Sequence, residues 1–291
     1  MDKSAEHLEI IKLNNLQLAA KVISDKLRQG SHVGKRIGYG AEFEQYRHYE
    51  PGDDLKRIDW KLFARSEKYQ IKESPIESNF HLKLILDLSG SMNYEEEGIN
   101  RLTYAKILMA SLAYIAFLQG DNISLYFLQH GDIVQVVAPG AKSFQSVLYH
   151  LEKAEAKGKW QNDFKDFPTL KSREKEMIMM VSDFLQEERE WEALVKSMIH
   201  PNKEILLYQI LGQQEMQMEM SGNIRFEDLE SGHTFHAEAM DLMKDYNQSI
   251  QSYLNQLDTT FQLQGVTMLR ASLAEPIAEL IFRSLSNKQF A

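Results

Sequence analysis

No cysteine occurs in the 291 residues, so disulfide frameworks, thiolate metal sites and a cysteine nucleophile are all excluded. That fits a reducing compartment. Long apolar runs are also missing. The opening MDKSAEHLEIIKLNN is polar and acidic and holds no stretch of signal-peptide length. The longest apolar run worth testing, ILMASLAYIAFL at 107–118, falls short of the ~20 residues that cross a bilayer and reads as a core helix. The expectation is a soluble, cytoplasmic protein with no membrane span. Familiar catalytic signatures are absent too. Gly34, Gly38 and Gly40 are not spaced as a dinucleotide loop, and neither a Gly-Lys-Ser/Thr phosphate loop nor a His-Glu-x-x-His pair occurs. His233 and His236 lack a third ligand nearby in sequence and read as surface histidines.

What is present is an ordinary globular composition, 43% hydrophobic and 26% charged, with length enough for a sizeable core. Net charge is −9, unevenly spread: residues 26–72 carry eleven Lys/Arg and seven Asp/Glu, about +4, which leaves about −13 elsewhere. The basic residues of 26–72 alternate with acids, which points to internal ion pairs. A nucleic-acid interface there conflicts with the acidic total.

Apolar positions Leu8, Ile11, Leu16, Ala19, Ile23 and Leu27 predict one helix over 6–29, ended by Gly30. Glycines, the Pro51-Gly52 turn and aromatic and β-branched alternation then predict a small β-rich lead-in up to residue 80. From His81 the pattern changes. HLKLILDL is nearly continuous in apolar residues, as a strand covered on both faces should be. Helices are predicted at 101–119, 141–156, 187–199, 237–257 and 274–287. Strands are predicted at 122–129, 176–183, 204–211 and 265–273, with 132–138 as a hairpin partner and a further hairpin at 223–236. This alternation predicts an α/β domain over 81–291, a mostly parallel sheet with helices on both faces, preceded by a lead-in over 1–80. Met177, Met179 and Met180 read as core filling, and Glu95–Glu97 as a solvated loop bordering the site described next.

In open α/β sheets, ligands bind beyond the carboxyl ends of the strands, where strand order switches. Asp87-Leu-Ser89-Gly-Ser91 ends the first strand of the repeat, and Val181-Ser182-Asp183 ends a later one. Residues two apart in extended chain point the same way, so Asp87, Ser89 and Ser91 can converge, with Asp183 across the crevice if the strands are neighbours. Two carboxylates and two hydroxyls form an all-oxygen set suited to a hard dication such as Mg2+ or Mn2+. The same residues could instead cap a loop or a helix.

The Asp87-x-Ser89-x-Ser91 pattern resembles the first element of the metal-ion-dependent adhesion site of von Willebrand factor A domains. In that family both serines ligate the metal, the aspartates act mainly through water, and a partner's acidic side chain takes the sixth position. The resemblance implies that Asp183 is the third-loop aspartate. The second loop departs from the pattern: in GKWQNDF, Asn162 stands where relatives carry threonine and Asp163 follows it, so either could be the ligand. A second likeness covers almost the whole chain. GYGAEFEQYRHYEPGDDLKRIDWKLFAR, with Glu42, Phe43, Arg47, Tyr49, Gly52, Asp53, Asp54, Arg57, Asp59, Trp60 and Arg65 in place, resembles the signature of the bacterial family catalogued as domain of unknown function fifty-eight. Many of its members carry N-terminal membrane helices. That resemblance implies a von Willebrand factor A-like fold and a non-enzymatic interaction module working with a MoxR-type AAA+ ATPase in protein assembly or remodelling. The signature's arginines and acids read as locking the lead-in to the main domain, with partner docking as the alternative. The rival function is a metal-dependent phosphohydrolase using Asp87, which has Ser89 where an aspartate acid would be expected.

Overall fold

The computed structural model describes residues 3–13, 15–30, 45–48, 58, 60–66, 68–73, 80–130, 132–159, 175–186, 190–229 and 232–286. The helix expected over 6–29 is two helices, α1 (Lys3–Ile11) and α2 (Leu16–Gly30). Asn15 explains the break: its side-chain oxygen accepts the Leu18 N–H at 2.9 Å, starting a new helix where asparagine is a poor interior residue. In the lead-in, strands β1 (Gln45–His48) and β2 (Gln70–Glu73) pair antiparallel. Between them lies a short helix, α3 (Trp60–Ser66), that the sequence pattern did not indicate. Most of the Gly38–Arg65 signature lies outside the described residues.

From β3 (His81–Asp87) the expected α/β fold unfolds in order. A two-residue hairpin, β4 (Glu95–Glu96) and β5 (Ile99–Asn100), precedes α4 (Arg101–Gln119). Glu97 and Gly98 both have positive φ, 53° and 78°, as a type I′ turn requires. Next come β6 (Asn122–Gln129), β7 (Asp132–Val137), α5 (Ser143–Lys153), β8 (Glu176–Ser182), α6 (Glu190–Met198), β9 (Lys203–Leu211) and α7 (Gln213–Met216). The chain continues through the hairpin β10 (Asn223–Glu227) and β11 (Thr234–Glu238), then α8 (Ala239–Thr260), β12 (Val266–Ser272) and α9 (Ile277–Ser286).

Six strands form the central sheet in the order β12-β9-β8-β3-β6-β7, parallel except for the edge strand β7. The chain starts at β3, steps out to β6 and β7, then returns to β8 on the other side of β3. The reversal of order therefore falls between β3 and β8, where a crevice opens beyond their carboxyl ends. Alternation within the strands divides the core. Leu82, Leu84 and Leu86 of β3, with Met177, Met179 and Val181 of β8, pack against α1, α2, α4, α5 and α9. Ile85, Ile178 and Met180 face the other way, against Trp191, Leu194 and Val195 of α6 and Leu257 of α8. The three methionines are core, as expected. His233 and His236 are exposed.

Helix α4 is apolar on nearly every side, which a helix can be only when covered on every side. Its ends are chemically marked. Asn100 accepts the Thr103 N–H through its side chain at 3.1 Å, and Gly120 closes the helix at φ 76°. At 19 residues α4 is by length and composition long and apolar enough to cross a membrane, a test that the buried core helix of a globular fold also passes. It is largely buried here, among α2, α5 and α9.

Candidate metal centre and the polar network beside it

Strands β3 and β8 are neighbours in register, Leu86 opposite Val181, so Asp87 and Ser182 end side by side. Asp87 is fully buried. Its Oδ1 accepts the Ser89 N–H at 2.8 Å and its Oδ2 accepts the Ser182 hydroxyl at 2.6 Å. Ser89 precedes a short 3-10 turn, Gly90–Asn93, yet its hydroxyl makes no capping bond to that turn. It lies instead 3.0 Å from the Ser91 hydroxyl. Capping therefore explains the carboxylate of Asp87 but not the two converging hydroxyls.

The second loop is tied to this turn by backbone. Gly90 donates to the Gly158 carbonyl at 2.8 Å, Lys157 donates to the Leu88 carbonyl at 2.8 Å, and the Asn93 side chain donates to the Ala156 carbonyl at 2.9 Å. Asn162 and Asp163 lie outside the described residues.

Asp183 is fully buried and already has a cation. Arg101, the first residue of α4, donates from Nη1 to Asp183 Oδ2 at 2.8 Å and to the Ser91 carbonyl at 2.9 Å. One nitrogen thus joins the turn after β3 to the loop after β8. Its Nη2 pairs with Glu215 of α7. The ring of Tyr94 lies 4.8 Å from the guanidinium carbon. Burial works against the charge on Arg101, but Asp183 and Glu215 outweigh it and hold the guanidinium pKa above its usual value. Burial pushes the Glu215 carboxyl above the ordinary range despite Arg101. Arginine in the first turn of a helix opposes the helix dipole, and the two carboxylates supply the compensation.

The network extends outward. Glu215 also accepts the Gly212 N–H at 2.7 Å. Glu96 accepts the N–H groups of Gln213 at 2.6 Å and Gln214 at 3.0 Å, together with the Tyr94 hydroxyl at 2.8 Å. Glu96 is therefore not part of a solvated loop, as its sequence setting suggested; it holds the start of α7. Gly212 makes this possible, because a Cβ there would stand 2.4 Å from a Tyr94 ring carbon and 2.6 Å from Glu96 Oε2. Behind Asp183, Gln209 donates to its carbonyl at 2.8 Å. Phe184 next to it sits at φ 54°, a strained conformation for a bulky residue. Tyr253 holds it by donating to its carbonyl.

Of the six residues expected to form the metal site, Asp87, Ser89 and Ser91 are brought together. Asp183 stands at the neighbouring strand end, oriented by Arg101, and the remaining two are not described. As a test of fit, the donors present are all oxygen, and Gln186, whose Nε2 donates to Asp183 Oδ1 at 3.3 Å, leaves its buried Oε1 with no hydrogen-bond partner. An orphaned acceptor next to Asp183 suits a hard cation by its chemistry, although among the described residues no three His, Asp or Glu side chains cluster closely enough to hold one. Arg101, Glu215 and Tyr94 escaped sequence reasoning, and Glu96 was placed beside the site only as a solvated acid. An arginine immediately after the Asn100 cap of an apolar helix was the one available signal.

Comparison with known proteins places these features in context. Uncharacterised proteins of Mycobacterium bovis and Mycobacterium tuberculosis are 23% identical over 225 residues, which is 76% of this chain and 70% of each relative. Among solved structures, the conserved hypothetical protein BatB from Bacteroides thetaiotaomicron aligns with a TM-score of 0.44 at 14% identity, over 72% of this chain and 100% of that one. The VWA domain of SpRpn10 aligns with a TM-score of 0.41 at 12% identity, over 72% of this chain and 98% of that one. The profile of the family described as "Protein of unknown function DUF58" matches residues 45–252. That span is well over half of the sequence, and the chain belongs to the DUF58 family.

Proposed function

We propose that this protein is a non-enzymatic, von Willebrand factor A-like interaction module of the cytoplasm. Its crevice at the β3–β8 switch point takes Mg2+ or Mn2+ and then an acidic side chain of a protein partner. The observation that carries the reading is the pair of serine hydroxyls 3.0 Å apart beside a buried aspartate, neither serine being spent on a helix cap. Ser89 and Ser91 would hold the ion directly, Asp87 and Asp183 would stand behind them, and Asn162 or Asp163 would come from the loop that Gly158 leads into. A bound dication would supply an electrophilic position for a carboxylate. Asp87 orients the Ser89 backbone, and Ser182 fixes Asp87. Arg101 orients Asp183 and moderates the negative charge of the crevice. The partner we favour is a MoxR-type AAA+ ATPase, in protein assembly or remodelling.

The phosphohydrolase alternative has less support. Both oxygens of Asp87 accept hydrogen bonds and the residue is fully buried, a poor position for a nucleophile. Calorimetric titration with MnCl2, on the native chain and on Ser89→Ala/Ser91→Ala, tests the reading. The expected result is saturable heat in the native chain that vanishes in a variant of unchanged circular dichroism. No cation binding by the native chain, with capture of the ATPase unaffected by chelator, would discard it.

A further inference from the structure

Beside the crevice, the hairpin β10–β11 and the start of α8 enclose a groove of about 510 Å3. Met218, Met220, Phe226, Phe235, Leu242 and Tyr246 line it. The hairpin is a two-stranded sheet separate from the central one. A free-standing hairpin is marginal by itself. Here Phe226 and Phe235, directly opposite in register, stack at 5.0 Å on one face. Phe235 is nonetheless 56% exposed, and Met240 at the start of α8 is 70% exposed.

The composition around this groove is unusual. Five of the chain's thirteen methionines, at positions 216, 218, 220, 240 and 243, fall within residues 213–249. The same stretch carries eight Asp/Glu against two Lys/Arg, a net charge of −6. Asp245 lines the groove and is exposed, and Glu219, Glu227 and Glu238, on the segments that supply its lining residues, are exposed as well. Flexible, polarisable methionines adapt to varied apolar anchors, and an acidic rim attracts cations while repelling acids.

We infer that this groove docks a basic amphipathic helix from a protein partner, with its leucine-type anchors among the methionines and phenylalanines and its lysines or arginines over the acidic rim. The occupant is opposite in charge to the carboxylate proposed for the metal centre, and none of Asp87, Ser89, Ser91 and Asp183 lines the groove. The groove abuts the Arg101 network, since Tyr94 and Glu215 line it and also contact Arg101. This inference does not depend on metal binding.

Fluorescence anisotropy on the full chain tests it, using a labelled amphipathic peptide of leucine and lysine, its leucine–glutamate counterpart, and a lysine peptide scrambled to lose its apolar face. The expected result is saturable binding of the first alone, weakened at least about tenfold when salt rises from about 50 to about 300 mM. Phe235→Ala and Asp245→Lys should each weaken binding at least about fivefold while far-UV circular dichroism shows the fold retained. Hydrogen exchange should show protection confined to β10, β11 and the first turns of α8. Equal binding of the acidic or scrambled peptide, indifference to both substitutions, protection elsewhere, or binding of phosphatidylserine vesicles in place of the peptide would overturn the inference. Retention of peptide binding in Ser89→Ala/Ser91→Ala separates this outcome from failure of the metal reading.

Discussion

Replacing Arg101 with methionine tests the polar network most directly. The guanidinium is fully enclosed and faces Asp183, Glu215 and the Ser91 carbonyl, with Tyr94 beneath it. Methionine keeps most of the apolar stem, so packing loss is small. What remains is a buried Asp183 and a largely enclosed Glu215 with no counterion between them. Breaking a buried pair by removing one partner costs about 3–5 kcal/mol. For a domain of this size that is a fall of roughly 6–20 °C in melting temperature. Neutralising the abandoned acids, in Arg101→Met/Asp183→Asn/Glu215→Gln, should recover more than half of the loss, because the penalty belongs to the orphaned charges. Arg101→Lys should recover less, since a single ammonium nitrogen cannot reproduce the fork in which Nη1 reaches Asp183 and Ser91 while Nη2 reaches Glu215. Chemical denaturation monitored by circular dichroism supplies the free energies. A loss below about 1 kcal/mol in the single variant, or no recovery in the triple one, would show that the guanidinium is not the element holding these strand ends.

Three further outcomes follow from other parts of the molecule. Gly212→Ala should destabilise the protein by about 1–3 kcal/mol, because its Cβ meets Tyr94 and Glu96 within 2.6 Å; if urea melts match those of the native chain, the clamp on α7 is unimportant. Burial raises the Asp121 carboxyl to about 6 from its ordinary 3.8. The folded state therefore binds the proton more tightly, so its contribution is favourable below about pH 4 and is lost as pH rises through 6. Asp121→Asn should then stabilise by about 1 kcal/mol at pH 7.5, a figure discounted for partial exposure, and by nothing at pH 4. His7 is buried against Tyr104, its Nε2–H donating to the Leu273 carbonyl at 3.0 Å, and burial depresses its pKa below the ordinary 6.5. The unfolded chain takes up the proton first, so stability falls as pH drops below 6.5. His7→Gln should flatten that part of the stability–pH curve, and an unchanged slope would assign the acid loss elsewhere.

The central sheet could be read from sequence because β3, β8 and β9 are covered on both faces and so are written as nearly unbroken apolar runs. The hairpins at 122–138 and 223–238 and the helices between the strands followed from periodicity. Asp87, Ser89 and Ser91 were legible because their convergence depends only on a two-residue spacing. The Arg101–Glu215 pair was not, since 114 residues separate them and no local pattern records a tertiary ion pair. Glu96 was misread for the same reason: three successive acids look solvated until the backbone of α7 is brought to one of them. Two asparagines at 14 and 15 carried the signal for the break between α1 and α2, but the apolar spacing ran across it. Short α3 lies in a stretch whose glycines and turn residues favour loops, and helices of two turns depend on tertiary support more than on propensity.

Helix α4 has one more consequence, for the order in which the chain is made. Its shield is assembled from both sides of it in the sequence: α2 comes before it, while α9 supplies Ile277, Leu280 and Ile281 well after it. The Tyr104 hydroxyl donates to the Glu275 carbonyl, 171 residues further along. During synthesis, this greasy rod therefore waits for its lid until α9, far downstream, has been made. A ribosome that stalls before codon 276 releases a polypeptide with that rod bare on one side, a ready target for chaperones and for aggregation.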